Sequence, residues 1–211
     1  MTRNRHRWGL WAALAALAVV LGVVAAVALP ILLHRDQGVG HQAPSAEEWP
    51  LTATADGDDG RTRTIEVTDP DGGAIDTSAL QPGDRVVVHG DGFDPERGIY
   101  VAICAIPADA ATKPGPCLGG MPSGDGEEVA EGTVQYAPSN WINDDWAWKI
   151  FGARSYDDPA AGTFTAYLEI PEPADDHVDC REVACGIFTR NDHTAASDRV
   201  QDLHVPVGFA G

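Results

Sequence analysis

The chain opens on one long apolar run and continues as a series of short ones. From Trp8 to Leu33 it reads WGLWAALAALAVVLGVVAAVALPILL, 26 residues without a charge. As a helix this reaches about 39 Å at ~1.5 Å per residue, enough to cross a hydrocarbon core of roughly 30 Å. Arg3, Arg5 and Arg7 precede it and only Arg35 follows closely, so residues 1–7 are expected in the cytoplasm, 8–33 as a transmembrane signal anchor and the remainder outside. A cleaved signal peptide is the competing reading, but the run exceeds an h-region of about 7 to 15 residues and no small-x-small site follows it. Residues 34–63, polar and broken by Pro and Gly, read as an extracellular linker.

From Thr64 the pattern changes to period two. TIEVTDPDGG reads as a strand closing in a turn, and QPGDRVVVHGDGFDPERGIYVAICAIP as two β-branched strands joined through Gly and Asp-Pro. In TFTAYLEI, Phe164, Ala166, Leu168 and Ile170 share one face while Thr163, Thr165, Tyr167 and Glu169 share the other. ACGIFTR and DLHVPVGF add two strands, the last placed at an edge or bulge by Pro206. No amphipathic helical stretch of useful length intervenes. The expected fold is therefore all-β, an immunoglobulin-like antiparallel sandwich over 64–211 with an insertion at about 118–162.

Export changes what the cysteines mean. Cys104, Cys117, Cys180 and Cys185 all follow the apolar run, where thiols are normally oxidised. Four cysteines allow three pairings; local closure favours Cys104 with Cys117 and Cys180 with Cys185. The CxxxxC spacing of CREVAC has no second knuckle for zinc and no CxxC at a helix start for redox work. As staples the Cys180–Cys185 loop is worth about 2 kcal/mol and the Cys104–Cys117 loop about 3 kcal/mol in the chain-entropy estimate.

The order LQPGDRVVVHGDGFDPERGIYVAICAIP, Cys117, a period-two strand, VDCREVACGIFTR and a closing DLHVPVGF resembles the neocarzinostatin-like domains of actinobacteria. The resemblance covers roughly 61–211. The ending CGIFTRNDHTAASDRVQDLHVPVGF resembles a subset found in actinobacterial cell-surface proteins, some of which carry HtaA-type haem-uptake domains. It implies an immunoglobulin-like sandwich with two short-range disulfides, and a cleft that in secreted members carries an enediyne chromophore. The anchor and the insertion depart from that pattern, so cleft residues are not transferred from the family.

The insertion gathers Tyr136, Trp141, Trp146, Trp148 and Phe151. Such rings either plug the open side of the sandwich or, rimmed by Asn140, Asn143, Asp144 and Asp145, form a recognition patch. Without the three N-terminal arginines, 11 of the 14 basic residues face 32 acids. That surface repels nucleic-acid phosphates and anionic headgroups. The acidic runs DGDDG, DPDGG and DGEE lack EF-hand spacing and read as solvated turns before calcium sites. His89, His177, His193 and His204 show no metal-ligand spacing, and a haem or metal role for a histidine or Tyr100 follows from the family association alone. No GxSxG or HExxH is present.

The sequence thus predicts a non-catalytic, membrane-anchored extracellular module with no metal or cofactor. It recognises a ligand or cell-surface protein through Tyr136, Trp141, Trp146, Trp148 and Phe151. The alternative is a carrier holding a hydrophobic small molecule, an enediyne-type chromophore or haem, in the cleft. A hydrolase is a third possibility, requiring a polar triad that converges in a pocket.

Overall fold

A computed structural model describes residues 3–120 and 134–210, with side chains from Trp11 onward. Residues 121–133, which include the DGEE run and part of the insertion, lie outside the described residues. The chain divides into two compact units, Met1–Arg35 and Asp36–Gly211. The first is a single helix, α1 (Arg3–Leu32). Within it Trp11–Leu32 is long and apolar enough to cross a membrane.

The second unit is an antiparallel β-sandwich. One sheet has the order β1 (Gly40–Gln42), β2 (Thr52–Gly57), β3 (Thr62–Thr68), β4 (Arg85–Asp91), β7 (Phe164–Glu169). The other runs β6 (Ser139–Ile142), β5 (Ile99–Ala105), β8 (Cys185–Asn191), β9 (Leu203–Val207). The chain changes sheets between β4 and β5, β6 and β7, and β7 and β8, the cross-over pattern of an immunoglobulin-like sandwich. Alternation decides what is buried: Ile65 and Val67, Val86 and Val88, Phe164, Ala166 and Leu168 from the first sheet meet Ile99, Val101, Ile103, Ile187, Leu203 and Val205 from the second. Pro206 sits on β9, an edge strand, where its missing N–H disrupts no interior ladder.

Both disulfides close locally, Cys104–Cys117 and Cys180–Cys185, and no cysteine is free. The sulfurs are therefore committed to cross-links.

The structure differs from the sequence reading over 34–63. Instead of a tether, this stretch supplies β1 and β2, which extend the first sheet beyond β3 in register Gln42↔Ala55 and Ala53↔Ile65. Gln42 then reaches the edge of the other sheet. Its side-chain amide donates from Nε2 to the His204 carbonyl at 2.9 Å and accepts the His204 N–H at Oε1 at 2.8 Å, standing in for a neighbouring strand. The inward face of β2 is Ala53 and Ala55, too weakly hydrophobic for a strong period-two signal.

A second departure lies in β3. Arg63 occupies an inward position in line with Ile65 and Val67 and is completely buried. Its guanidinium donates to both carboxylate oxygens of Asp59 at 3.0 and 2.5 Å and to the Val200 carbonyl at 3.2 Å. Nε donates to Gln201 Oε1 at 3.4 Å. Gln201 in turn accepts from the Asp94 N–H and donates to Asn191 Oδ1. Removing the guanidinium strands a buried carboxylate and a buried amide, which costs about 3–5 kcal/mol. Urea unfolding of Arg63→Met is expected to show a loss of that size, and a loss under about 1 kcal/mol would mean that the network contributes little.

Candidate functional site

Alternation fills the core with one face of the second sheet, and on the other face Tyr100, Ala102, Cys104, Trp141 and Phe188 are also buried, beneath side chains of the neighbouring loops. Register places Trp141, Tyr100 and Arg190 in one cross-strand row and Ala102, Phe188 and His204 in the next. Two features are built on this outer face.

The first is an aromatic ledge at the β6 side. The Trp141 and Tyr100 rings lie 5.9 Å apart, and Trp148, on the short helix α2 (Trp146–Lys149), stands 5.8 Å from Trp141. His193, at the start of a single 3-10 turn after β8, meets Trp148 edge-on at 4.7 Å and accepts or donates a 2.9 Å hydrogen bond with the Tyr100 hydroxyl through Nδ1. Asp192, fully buried, holds the group together. Its Oδ2 accepts from Trp141 Nε1 and from Asn143 Nδ2, both at 2.8 Å, and its Oδ1 accepts from the Thr194 N–H at 2.8 Å. Burial pushes the Tyr100 hydroxyl up to about 12, helped by the Asp192 charge, so the phenol stays protonated.

The five rings of the insertion do not form one site. Trp141, Trp148 and Phe151 make a chain of contacts on the ledge, with Trp148 to Phe151 at 6.2 Å. Tyr136 leaves the group: it packs edge-on against Tyr167 of β7 at 5.5 Å, with the Arg85 guanidinium 4.9 Å from its ring centroid. Trp146 points outward at 64 % exposure, near in sequence to Ile150 at 73 % and Phe151 at 60 %. Trp141 itself is buried. Tyr156, which the sequence reading passed over, is the real plug: it is buried, donates to the Arg97 carbonyl at 3.0 Å and lies edge-on to Phe164.

The second feature is a cleft of about 430 Å³, within the usual range for small-molecule sites. None of the five insertion residues lines it. Its floor is the half-buried His204 ring stacked on a buried Phe188, ring centroids 4.5 Å apart. One wall is His41 and Gln42 of β1; the other is the excursion after β5, including Ile106, Asp109 and Pro114. That excursion is closed at its base by the Cys104–Cys117 disulfide and by backbone bonds from Ala105 N–H to the Pro116 carbonyl and from Gly115 N–H to the Ala105 carbonyl. Its tip is a turn capped by Asp109, whose Oδ1 accepts from the Ala111 and Thr112 N–H groups. The cleft therefore has a rigid wall and an apolar floor.

Asp202 closes one end. Its Oδ2 accepts from Arg199 Nη1 at 2.7 Å, while Oδ1 is buried without a hydrogen bond. Burial pushes this carboxyl up to about 7 against the opposing pull of Arg199. Burial alone pushes His204 down to about 4.

Among the described residues no group of three or more His, Cys, Asp or Glu side chains is arranged to hold a metal ion. The DGDDG carboxylates serve the fold instead: Asp59 pairs with Arg63, Asp58 accepts from the Val39 N–H and meets His41, and Asp56 accepts from Thr62. In DPDGG, Asp69 Oδ1 accepts from the Asp71 and Gly73 N–H groups.

No protein-family model matches the sequence, and no curated protein matches it. Among solved structures macromomycin matches 69 % of this chain and 99 % of its own, at 19 % identity and a TM-score of 0.36.

The two shifted groups in the cleft oppose each other with pH. Between about 6.5 and 4 the unfolded chain binds a proton at residue 204 that the folded chain refuses, so His204 makes stability fall on acidification. Between about 7 and 4 the folded chain keeps a proton on Asp202 that the unfolded chain releases, so Asp202 makes stability rise. His204→Phe keeps a ring on Phe188 and removes only the first effect. Its stability relative to wild type is expected to rise by up to about 3 kcal/mol from pH 7 to pH 4, at ~1.4 kcal/mol per unit. Urea melts at both pH values measure this, and a pH-independent difference would show that His204 is not held neutral by burial.

Proposed function

We propose that the chain is a membrane-anchored extracellular binding module, non-catalytic, that holds a small aromatic ligand in the cleft over Phe188 and His204. The observation that carries this reading is the cleft itself: an apolar, stacked floor between a disulfide-closed wall and β1. Such a shape buries a flat ligand with little rearrangement. The resemblance of residues 61–211 to neocarzinostatin-like domains supports the carrier role, and the resemblance of the closing stretch from Cys185 to actinobacterial cell-surface proteins supports a place on such a surface. A ligand is favoured over a nucleic acid because the chain carries 32 acids against 14 basic residues. A hydrolase gains no support from the ledge, where His193 engages a phenol and neighbouring rings.

The sequence reading placed recognition on the insertion rings, and one observation favours a second surface there. Trp146, Ile150 and Phe151 are large, apolar and more than half exposed within six positions, the composition of a protein-contact patch. We assign this patch to a protein partner and the cleft to the small molecule.

Isothermal titration with flat aromatic compounds is expected to show saturable 1:1 binding that Phe188→Ala weakens at least tenfold while Trp146→Ala leaves it unchanged. The opposite ranking would move the ligand to the insertion. In cell fractionation, the full chain is expected in the membrane pellet after carbonate washing, with residues beyond 36 cut by protease added outside intact cells. Release into the medium as a shortened chain would identify 8–33 as a cleaved leader.

A further inference from the structure

Cations are scarce in this chain, 14 against 32 acids, and only two are lysines, Lys113 and Lys149. Of the eleven whose side chains are described, six are paired: Arg61 with Asp94, Arg63 with Asp59, Arg85 with Glu169, Lys149 with Asp144, Arg181 with Asp179 and Arg199 with Asp202. Arg35, Arg97, Lys113, Arg154 and Arg190 are not, and of these Lys113 and Arg190 lie beside the cleft. Among the described residues neither has a carboxylate within ion-pairing distance, although acids are in large excess.

Both flank the cleft. Lys113 lies between Thr112 and Pro114, two residues of its wall. Arg190 follows Phe188 by two on β8, hence on the same outer face, and its Nη1 donates to the Pro114 carbonyl at 3.4 Å. Its guanidinium carbon is 5.6 Å from the Tyr100 ring centroid, and its Nε is buried without an acceptor. Burial lowers the Lys113 pKa first, and the charges of Arg190 and Arg199 lower it further, so the three cations share one neighbourhood. Two acids line the cleft as well, and the charge of Asp202 attracts both Lys113 and Arg190. Asp202 is committed to Arg199, and Asp109 is spent on its own turn. An exposed Lys113 and a half-buried Arg190 of like charge repel, and a bound anion would offset that repulsion.

We propose that the cleft selects an aromatic ligand bearing an anionic group, with its ring against Phe188 and His204 and its anion met by Lys113 and Arg190. This rests on the cleft as the ligand site and names the ligand's charge. The polar end is fixed by one flexible point charge and one planar fork, which together accept a carboxylate or sulfonate oxygen pair. A cationic ligand would face the same cluster and be excluded.

The test uses two dyes of one shape on the folded protein: 8-anilinonaphthalene-1-sulfonate and its uncharged counterpart N-phenyl-1-naphthylamine. The sulfonate dye is expected to bind roughly tenfold tighter in low salt, and that advantage to shrink in 500 mM NaCl. Lys113→Met, an exposed-loop change that leaves the core untouched, should remove most of the advantage without altering binding of the uncharged dye. Arg190→Gln should do the same, and Phe188→Ala should weaken both dyes. Equal affinity for the two dyes, or an advantage that survives Lys113→Met, would overturn the anionic assignment while leaving the cleft as a ligand site. Failure of both dyes to bind, or binding indifferent to Phe188→Ala, would overturn the cleft reading and this inference with it.

Discussion

A guanidinium sealed between two sheets must be paired on every side, and the groups that pair Arg63 define where several distant segments lie. Asp59 fixes the β2–β3 turn, Gln201 and the Val200 carbonyl fix the connection from β8 to β9, and through Gln201 the ties reach the Asp94 N–H and Asn191. The connection from 192 to 202 is the element that matters most for the binding face. At its start Asp192 and His193 hold the aromatic ledge; at its end Arg199 and Asp202 close the cleft. One buried charge at the far side of the sandwich thus holds the strap on which both features depend. The same network explains why β1 and β2 belong to the folded unit. Gly40 N–H donates to the Arg199 carbonyl and Gln37 N–H to Asp198, so the strap is itself a partner for the N-terminal strand.

Much of the fold was legible because its signals were local. Period two in TFTAYLEI put Phe164, Ala166, Leu168 and Ile170 inward, and all four are buried. Short loops between cysteines named both disulfides, and Pro206 named an edge strand. The signals that failed were weak or long-range. Ala53 and Ala55 face the core with so little apolar surface that the second strand looked like linker, and Arg63 broke the alternation of β3 at a position that is buried. A buried arginine is readable only once Gln201, 138 positions away, is known to accept from it.

The candidate site divides in the same way. Tryptophan density pointed to the insertion, and three of its rings do assemble there. Sequence proximity did not reveal that Tyr136 turns to Tyr167, or that Tyr100 and His193, 93 positions apart, complete the ledge. The cleft was further from view. Its floor needs Phe188 and His204 to be cross-strand neighbours, and its wall needs a β1 that the composition concealed. Outward-facing Phe on a strand is the one local hint, since an aromatic on the supposed solvent face calls for something to cover it.

The acid excess also has a structural reading that bears on the ligand. Asp69, Asp76, Asp109, Asp158, Asp175 and Asp179 each accept a backbone N–H two residues further on. A two-sheet protein with many short connections needs such caps, because a turn leaves N–H groups without strand partners. Negative charge is therefore spread over the turns by the demands of the backbone, and among the described acids only Asp109 and Asp202 line the cleft. Against that background the two unpaired cations beside the cleft stand out physically. Each could have met a carboxylate at small cost in a chain this acidic, and the two stand near one another beside the cleft. On the proposed reading long-range repulsion and short-range selection are separate: net charge discourages anionic polymers from approaching, while a small anion in the cleft would be screened from the turns other than that of Asp109 and would meet Lys113 and Arg190 at close range.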